Sequence, residues 1–351
     1  MEKYKKIATH LDPKEVYKNI EDTPVKEFKG SILVKNFDVE KELEKNGWMT
    51  RIVEKGQAGI FSYQQEMAKL FLIFKNLTRN IAFTHGFEEM IFPRHYSQQA
   101  LDAMGWPAHH NLKKELMLIT RLHKMEGRSN DHLLGDPLQC TGFYDTLKNM
   151  QDRNGGALPA KLFSSGGLKV YEDQGGWTVR NEPEERLRQG FATGFEFAGA
   201  EIVWAAYEED GYKIRWEILN AVLDLLKSLD MRYRVVVSGS CTRDDAQPEL
   251  LGKDFELFRM PTLDIEVYIP SRAKTPHGTW VEIGGGDVAN TRLINNFGIK
   301  TDSGDQLHSG CQGIGWQRII YGFLSQKGLD SKKWPKLIKD SFYSSHFLTS
   351  A

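Results

Sequence analysis

Ser309-Gly310-Cys311-Gln312-Gly313-Ile314-Gly315-Trp316-Gln317-Arg318 leads directly into the apolar run Ile319-Ile320-Tyr321-Gly322-Phe323-Leu324. The stretch sets a thiol, the closely spaced Gly313 and Gly315, and Arg318 ahead of what reads as a buried helix. Glycine lets a backbone approach a ligand closely. An arginine at the start of a packed helix presents a fixed charged fork suited to phosphate. Taken alone, Gly-x-Gly-x-x-Arg is equally a Gly-rich turn before a core helix. The rest of the chain has to decide between the two.

The 351 residues are enough for one large domain or two ordinary ones. With 40% hydrophobic and 26% charged residues, the composition is that of a soluble globular chain. A net charge of −1, from 46 basic and 47 acidic residues, gives no electrostatic demand for a nucleic acid or a membrane. Cys140, Cys241 and Cys311 are too few and too scattered for a disulfide framework, which points to a reducing cytoplasm. Met1 to Lys6 lacks an apolar h-region, so no signal peptide is read. No run of apolar residues is long enough for a transmembrane helix.

Residues 1–46 are charged and weakly patterned, and read as an extension lying on a main body of 47–351. Asp12-Pro13-Lys14-Glu15 is a candidate helix start and Ser31 to Val34 a candidate strand. Between Tyr63 and Phe83, the spacing of Met67, Leu70, Phe71, Phe74, Leu77 and Ile81 predicts a helix. Glu88 to Phe92 reads as a strand stopped by Pro93, and 97–127 as helical and partly basic (Lys113, Lys114, Arg121, Lys124, Arg128). A helix is expected from Phe143 to Met150, with Cys140 just before it, and loops and short strands from 154 to 176. Strands are expected at Gly176 to Glu182 and Phe195 to Trp204, flanking a polar loop. Ile214, Ile218, Val222, Leu225 and Leu226 mark a helix over 213–229. Further strands are read at Tyr233 to Val237, at Thr262 to Ile269, and at Thr279 to Ile283, the last ended by Gly284-Gly285-Gly286. Hairpin-like strands with helices between them give an α+β fold with an antiparallel sheet.

In order and spacing, these segments resemble the catalytic core of class II aminoacyl-tRNA synthetases, from about Gly47 to Pro335. The nearest likeness is to the atypical zinc-dependent seryl-tRNA synthetases of methanogenic archaea and their truncated relatives, the amino acid:[carrier protein] ligases. Gly86-Phe87-Glu88-Glu89-Met90-Ile91-Phe92-Pro93 resembles the first class II motif, which implies a homodimer. Arg180-Asn181-Glu182, with the return at Glu196 to Trp204, resembles the second. Gly313, Gly315 and Arg318 match the third.

The resemblance implies a zinc held by Cys140, Glu201 and Cys311, its open fourth position taking the α-amine of an amino acid. Read without it, the two cysteines are equally buried small hydrophobes. Cys241 has no counterpart, and the adjacent His109 and His110 point apart on any regular element. The resemblance also implies ATP with magnesium. Arg180 would sit on the α-phosphate and Arg318 at the γ-phosphate end and adenine face. Glu182 would fix the adenine or orient Arg180, and Glu282 would hold magnesium. Either Arg186 or Arg188 would reach the γ-phosphate, while the arginine expected before the returning strand is replaced around Thr193-Gly194. Each charged residue has the plain alternative of a strand-edge salt bridge.

The family's asparagine-bearing segment reads Gly284-Gly285-Gly286-Asp287 here, so the three glycines either enlarge the pocket or form a flexible turn. Asp287 and Asn290 become candidate substrate contacts. The short extension before Gly47 and the near-zero net charge argue against tRNA and for the phosphopantetheine thiol of a carrier protein as acceptor. The alternatives are a paralogue serving tRNA or another amine or thiol, and a non-catalytic zinc-containing binding protein.

Overall fold

The computed structural model describes residues 24–52, 61–93, 95–104, 117–119, 133–135, 140–155, 159–166, 168–170, 196–238, 262–272 and 280–344. Near the N-terminus come β1 (Pro24–Phe28), α1 (Val39–Lys45), β2 (Met49–Arg51) and β3 (Phe61–Tyr63). α2 (Gln65–Thr84), β4 (Glu88–Glu89), β5 (His95–Tyr96) and α3 (Gln98–Met104) follow. Next are β6 (Met117–Ile119), β7 (Leu133–Gly135), α4 (Cys140–Asn154), β8 (Ala160–Ser164) and β9 (Leu168–Val170). The second half holds β10 (Glu196–Ala206), α5 (Glu208–Ser228), β11 (Tyr233–Ser238), β12 (Thr262–Tyr268) and β13 (Trp280–Asn290). It closes with α6 (Arg292–Asn296), β14 (His308–Gly315), α7 (Trp316–Lys327) and α8 (Lys336–Tyr343).

Among the described residues nine strands form the main sheet, in the order β1-β11-β12-β13-β14-β10-β8-β4, with β9 also paired to β10. Every pairing in it is antiparallel except β4 with β8. One face turns Ile202, Trp204, Leu263, Ile265 and Val288 into the larger core, which α2, α5 and α7 cover. α2 and α5 form because their apolar side chains recur at helical spacing and bury one stripe. Glu208, Glu209 and Asp210 in the first turn of α5, and Lys227 in its last, also suit the helix dipole. On the other face, Val203, Ala205 and Ala289 pack with α3, α4 and α6 in a second cluster.

Several expected elements differ. Strand structure between Glu88 and Phe92 is confined to Glu88–Glu89. Of the helix expected over 97–127, the described residues show Gln98–Met104 as helix, whereas Met117–Ile119 is a strand of a separate three-stranded sheet. Short apolar runs do not separate helix from strand by period alone. Ser31 to Val34 is not a strand; Pro24–Phe28 is, paired to β11 at the sheet edge. Cys140 begins α4 instead of preceding it.

The largest correction concerns the glycine triplet. Neither it nor Gly313-Ile314-Gly315 is a turn; both lie inside long neighbouring strands. Ile265 pairs with Gly284 and Glu266 with Glu282, so Ile283 is an extra, bulged residue. Glu282 and Asp287 are an odd number of positions apart and would face opposite sides of a regular strand. The bulge restores them to the same face.

The candidate active-site face

The polar residues gather on the sheet face opposite α2, α5 and α7. One row crosses five strands: Thr262, Asp287, Cys311, Val203 and Leu162 stand in register. In the next row Asp264 opposes Gly285, and Gly313 opposes Glu201, which opposes Ser164. Beyond it Glu266 opposes Glu282. Rows are about 6.7 Å apart along the strands, so Cys311 and Glu282 mark two ends of a site roughly 13 Å long.

At the first end, Thr262 donates through Oγ1 to Asp287 Oδ1 at 2.6 Å. Asp287 is only 5% exposed. Behind it, on the helix-covered side, Arg215 of α5 is fully buried; its Cγ lies 3.5 Å from where a side chain on Gly286 would begin. Burial lowers the Arg215 guanidinium to about 10, against the charges of Tyr212 and Asp287, so it stays cationic at neutral pH. Glu201 leans over Gly313: a Cβ there would stand 3.4 Å from its Oε2. Cys140 is buried and Cys311 half-buried, both in the second cluster, and neither is in a disulfide. The Tyr144 hydroxyl is pushed well above its ordinary range by burial first, and then by the charges of Cys140 and Cys311, with Asp287 adding to them.

At the other end, Gln317 anchors the first turn of α7. Its carboxamide accepts from the Ala198 amide and donates to the Tyr63 hydroxyl at 3.0 Å. Trp316 Nε1 donates to Thr78 of α2 at 3.2 Å. The next residue, Arg318, is thereby fixed, with Nη1 3.8 Å from Glu282 Oε2. At that separation two buried charges attract by about 4 kcal/mol, while burying each costs several. The pair contributes little net stability, so folding alone does not account for it.

The structure thus brings Cys140, Glu201, Asp287 and Cys311 to one end of the face, and Glu282 with Arg318 to the other. Asn290 is engaged elsewhere: it has a φ of +51°, and its Oδ1 accepts from Tyr212 of α5 at 3.0 Å. Arg180, Glu182, Arg186, Arg188, Cys241, His109, His110 and the basic residues Lys113 to Arg128 lie outside the described residues. The donor set of two thiols and a carboxylate suits zinc in type and in face. Among the described residues, however, no group of three His, Cys, Asp or Glu side chains is arranged to hold a metal ion. Sequence reasoning missed Tyr144, Arg215, Thr262 and Gln317; only Tyr144, one helical turn from Cys140, had a periodic cue. A separate cleft of about 530 Å³, near Gly86, Lys161, Asp210 and Glu217, shares none of these polar residues.

In fold, this sheet and its flanking helices match the catalytic core of class II aminoacyl-tRNA synthetases. Within that class the chain resembles the type-2 serine–tRNA ligases of methanogens. It is 28% identical over 331 residues to that of Methanopyrus kandleri, covering 86% of this chain and 59% of the relative. It is 25% identical over 343 residues to that of Methanococcus aeolicus, covering 91% and 62%. The chain therefore spans about three-fifths of the length of these relatives. No protein-family model matches. Among solved structures, the fold matches the M. kandleri seryl-tRNA synthetase in complex with A. aeolicus tRNASec at a TM-score of 0.73 and 24% identity, covering 93% of this chain and 65% of that one. Pyrococcus horikoshii seryl-tRNA synthetase complexed with ATP gives 0.63 at 14% identity, covering 90% and 64%. Among the described residues no helix is long and apolar enough to cross a membrane.

Proposed function

We propose that this chain uses ATP to activate an amino acid as its aminoacyl adenylate. What carries the reading is one sheet face with thiols and carboxylates at one end and the Glu282–Arg318 pair at the other. The substrate carboxylate attacks the α-phosphorus, a carboxyl–phosphate bond forms, and pyrophosphate leaves. Negative charge grows on the phosphate oxygens in that step, so a preorganised guanidinium stabilises it. Arg318 serves the far phosphate and adenine, and Arg180 the α-phosphate. Arg186 or Arg188 reaches the γ-phosphate, and Glu182 fixes the adenine or Arg180. Glu282 would hold magnesium. Zinc held by Cys140, Glu201 and Cys311 would take the neutral α-amine and so fix its direction. Asp287, steadied by Thr262 and backed by Arg215, would face the substrate side chain.

For the acceptor, support is uneven. The relatives named above are tRNA ligases, so the expectation that tRNA is an unlikely acceptor is not borne out, and tRNA has their names behind it. The carrier-protein thiol remains the reading of the sequence and has no counterpart among them. A homodimer is part of the same proposal, supported by the exposed Ile91 beside the sheet edge.

The test is amino-acid-dependent exchange of pyrophosphate into ATP, with metal analysis of the same sample. Serine is tested first because of the relatives' names. Exchange with one amino acid and about one zinc per chain is the expected result. No exchange with any amino acid would overturn the reading in favour of a binding protein. Charged tRNA or a carrier thioester then tells the acceptors apart.

A further inference from the structure

We propose that the Tyr144–Ser309 hydrogen bond is a positioning clamp that holds the Cys140 thiol opposite the Cys311 thiol. Cys140 and Tyr144 are four residues apart on α4, so they share one helix face about 6 Å apart. Ser309 and Cys311 are two apart on β14, so they share one strand face about 6.7 Å apart. The spacings nearly match. A helix lying on this sheet can therefore oppose two pairs at once, Tyr144 with Ser309 and Cys140 with Cys311.

The first pair is made: Tyr144 Oη donates to Ser309 Oγ at 3.0 Å, and both residues are fully buried. The Tyr144 ring stacks on Phe297 at 5.2 Å and meets Phe143 edge-on at the same distance, so its direction is set. Around this bond Phe143, Leu147, Leu162, Val203 and Ala205 pack as one apolar cluster. Apolar burial is non-directional and resists sliding weakly. The hydroxyl pair supplies a directional contact from α4 to β14 itself, at the turn next to Cys140, whereas Lys148 and Gln151 farther along α4 bond Gly298 O and the Lys300 amide outside that strand. A sulfur pair needs a fixed register, because a slide of one ångström separates donors that must converge.

The clamp matters for function only if the thiols are ligands, as proposed above, but thiol opposition is measurable without metal. The test uses the full chain carrying Cys241→Ser, stripped of metal, with phenylarsine oxide. Each arsenic forms two As–S bonds, with loss of water, only where two thiols converge. One equivalent captured per chain is expected, with capture at least tenfold slower in both Tyr144→Phe and Ser309→Ala. The double variant should be no worse than either single, and Ser309→Thr, which keeps a hydroxyl, should restore capture. Zinc affinity, read by chelator competition, should fall roughly ten- to hundredfold in the same variants. The two single changes remove the bond from opposite sides, so a folding defect in one leaves the other decisive. Unchanged capture in Tyr144→Phe and Ser309→Ala overturns the clamp, as does no capture in the parent. Clamp-dependent capture in a parent that binds no zinc sustains the clamp and overturns the metal reading.

Discussion

A Cβ at position 284 would stand 2.0 Å from the carbonyl oxygen of Gly313 on the neighbouring strand. No backbone tolerates that contact, so β13 and β14 lie this close only because the residue is glycine, here with a φ of +156°. Gly284→Ala is expected to destabilise by about 3 kcal/mol or more, read from urea unfolding, because both colliding atoms belong to a packed sheet. A wild-type midpoint would mean the strands part freely. Arg318 is the complementary case, a buried charge whose partner repays little. Arg318→Ala should keep its metal content and lose roughly 10²- to 10³-fold in pyrophosphate exchange. Unchanged exchange would make the Gly-x-Gly-x-x-Arg match accidental. These two residues also show where reading residues one at a time fails. A glycine triplet looks like a strand end because glycine is a poor strand former. The cause of this one is a neighbouring strand distant in the sequence.

At the scale of elements, α2 and α5 were legible because an apolar stripe repeats over many turns and their packing follows it. α7 was legible from its apolar run, although its first turn depends on Gln317, whose partners come from β10 and β3. The bulge at Ile283 was not legible, since it is a property of pairing between strands. Yet it is what turns Glu282 and Asp287 to one face. The anchor at the far end of α7 was also hidden. Lys327 is 2% exposed and donates to Ser31 O at 2.6 Å, Asp230 O at 2.7 Å and Asp230 Oδ2 at 3.1 Å. It ties the segment after β1 to the turn before β11. Lys327→Met is expected to cost about 2 kcal/mol, the scale of hydrogen bonds to a charged group, in urea unfolding at pH 7. The tie also carries a pH dependence. Burial opposes ionisation of Asp230, but hydrogen bonds from Ser31 and Lys327 outweigh it and hold its pKa below the ordinary value. A depressed folded pKa stabilises above the unfolded pKa and is lost as pH falls through the folded one. The difference between wild type and Asp230→Asn should therefore be constant near neutrality and shrink below about pH 4. A difference that instead grew on acidification would contradict the hydrogen-bond assignment.

At the scale of the whole molecule, the question is what covers the β4 edge. β4 pairs with β8 on one side only, among the described residues, and it closes the nine-stranded order. Two residues beyond it Ile91 is 89% exposed, and Phe83 at the end of α2 is 49% exposed. Single exposed apolar residues are ordinary. An exposed isoleucine next to a sheet edge is less so, since edges are normally blunted by charge or proline or covered; Glu88 and Glu89 charge β4 itself, but the isoleucine beyond them stays bare. Pro93 follows Ile91 closely, but it stands beyond the paired residues and leaves the isoleucine uncovered. A second copy related by a two-fold axis would bury both copies of Ile91 against each other's edge, because a self-complementary patch is buried twice in such a pair. Sedimentation velocity at micromolar protein is expected to show a dimer. Ile91→Asp should weaken it by about a hundredfold or more, since the change places two carboxylates in one apolar contact and removes a central apolar anchor. Thermal unfolding of the separated chains should remain cooperative, because Ile91 contributes almost nothing to the interior of its own chain. A monomer in the parent, or an Ile91→Asp dimer of unaltered strength, would remove the β4 edge from any account of assembly and leave its exposed isoleucine to be explained by some other partner.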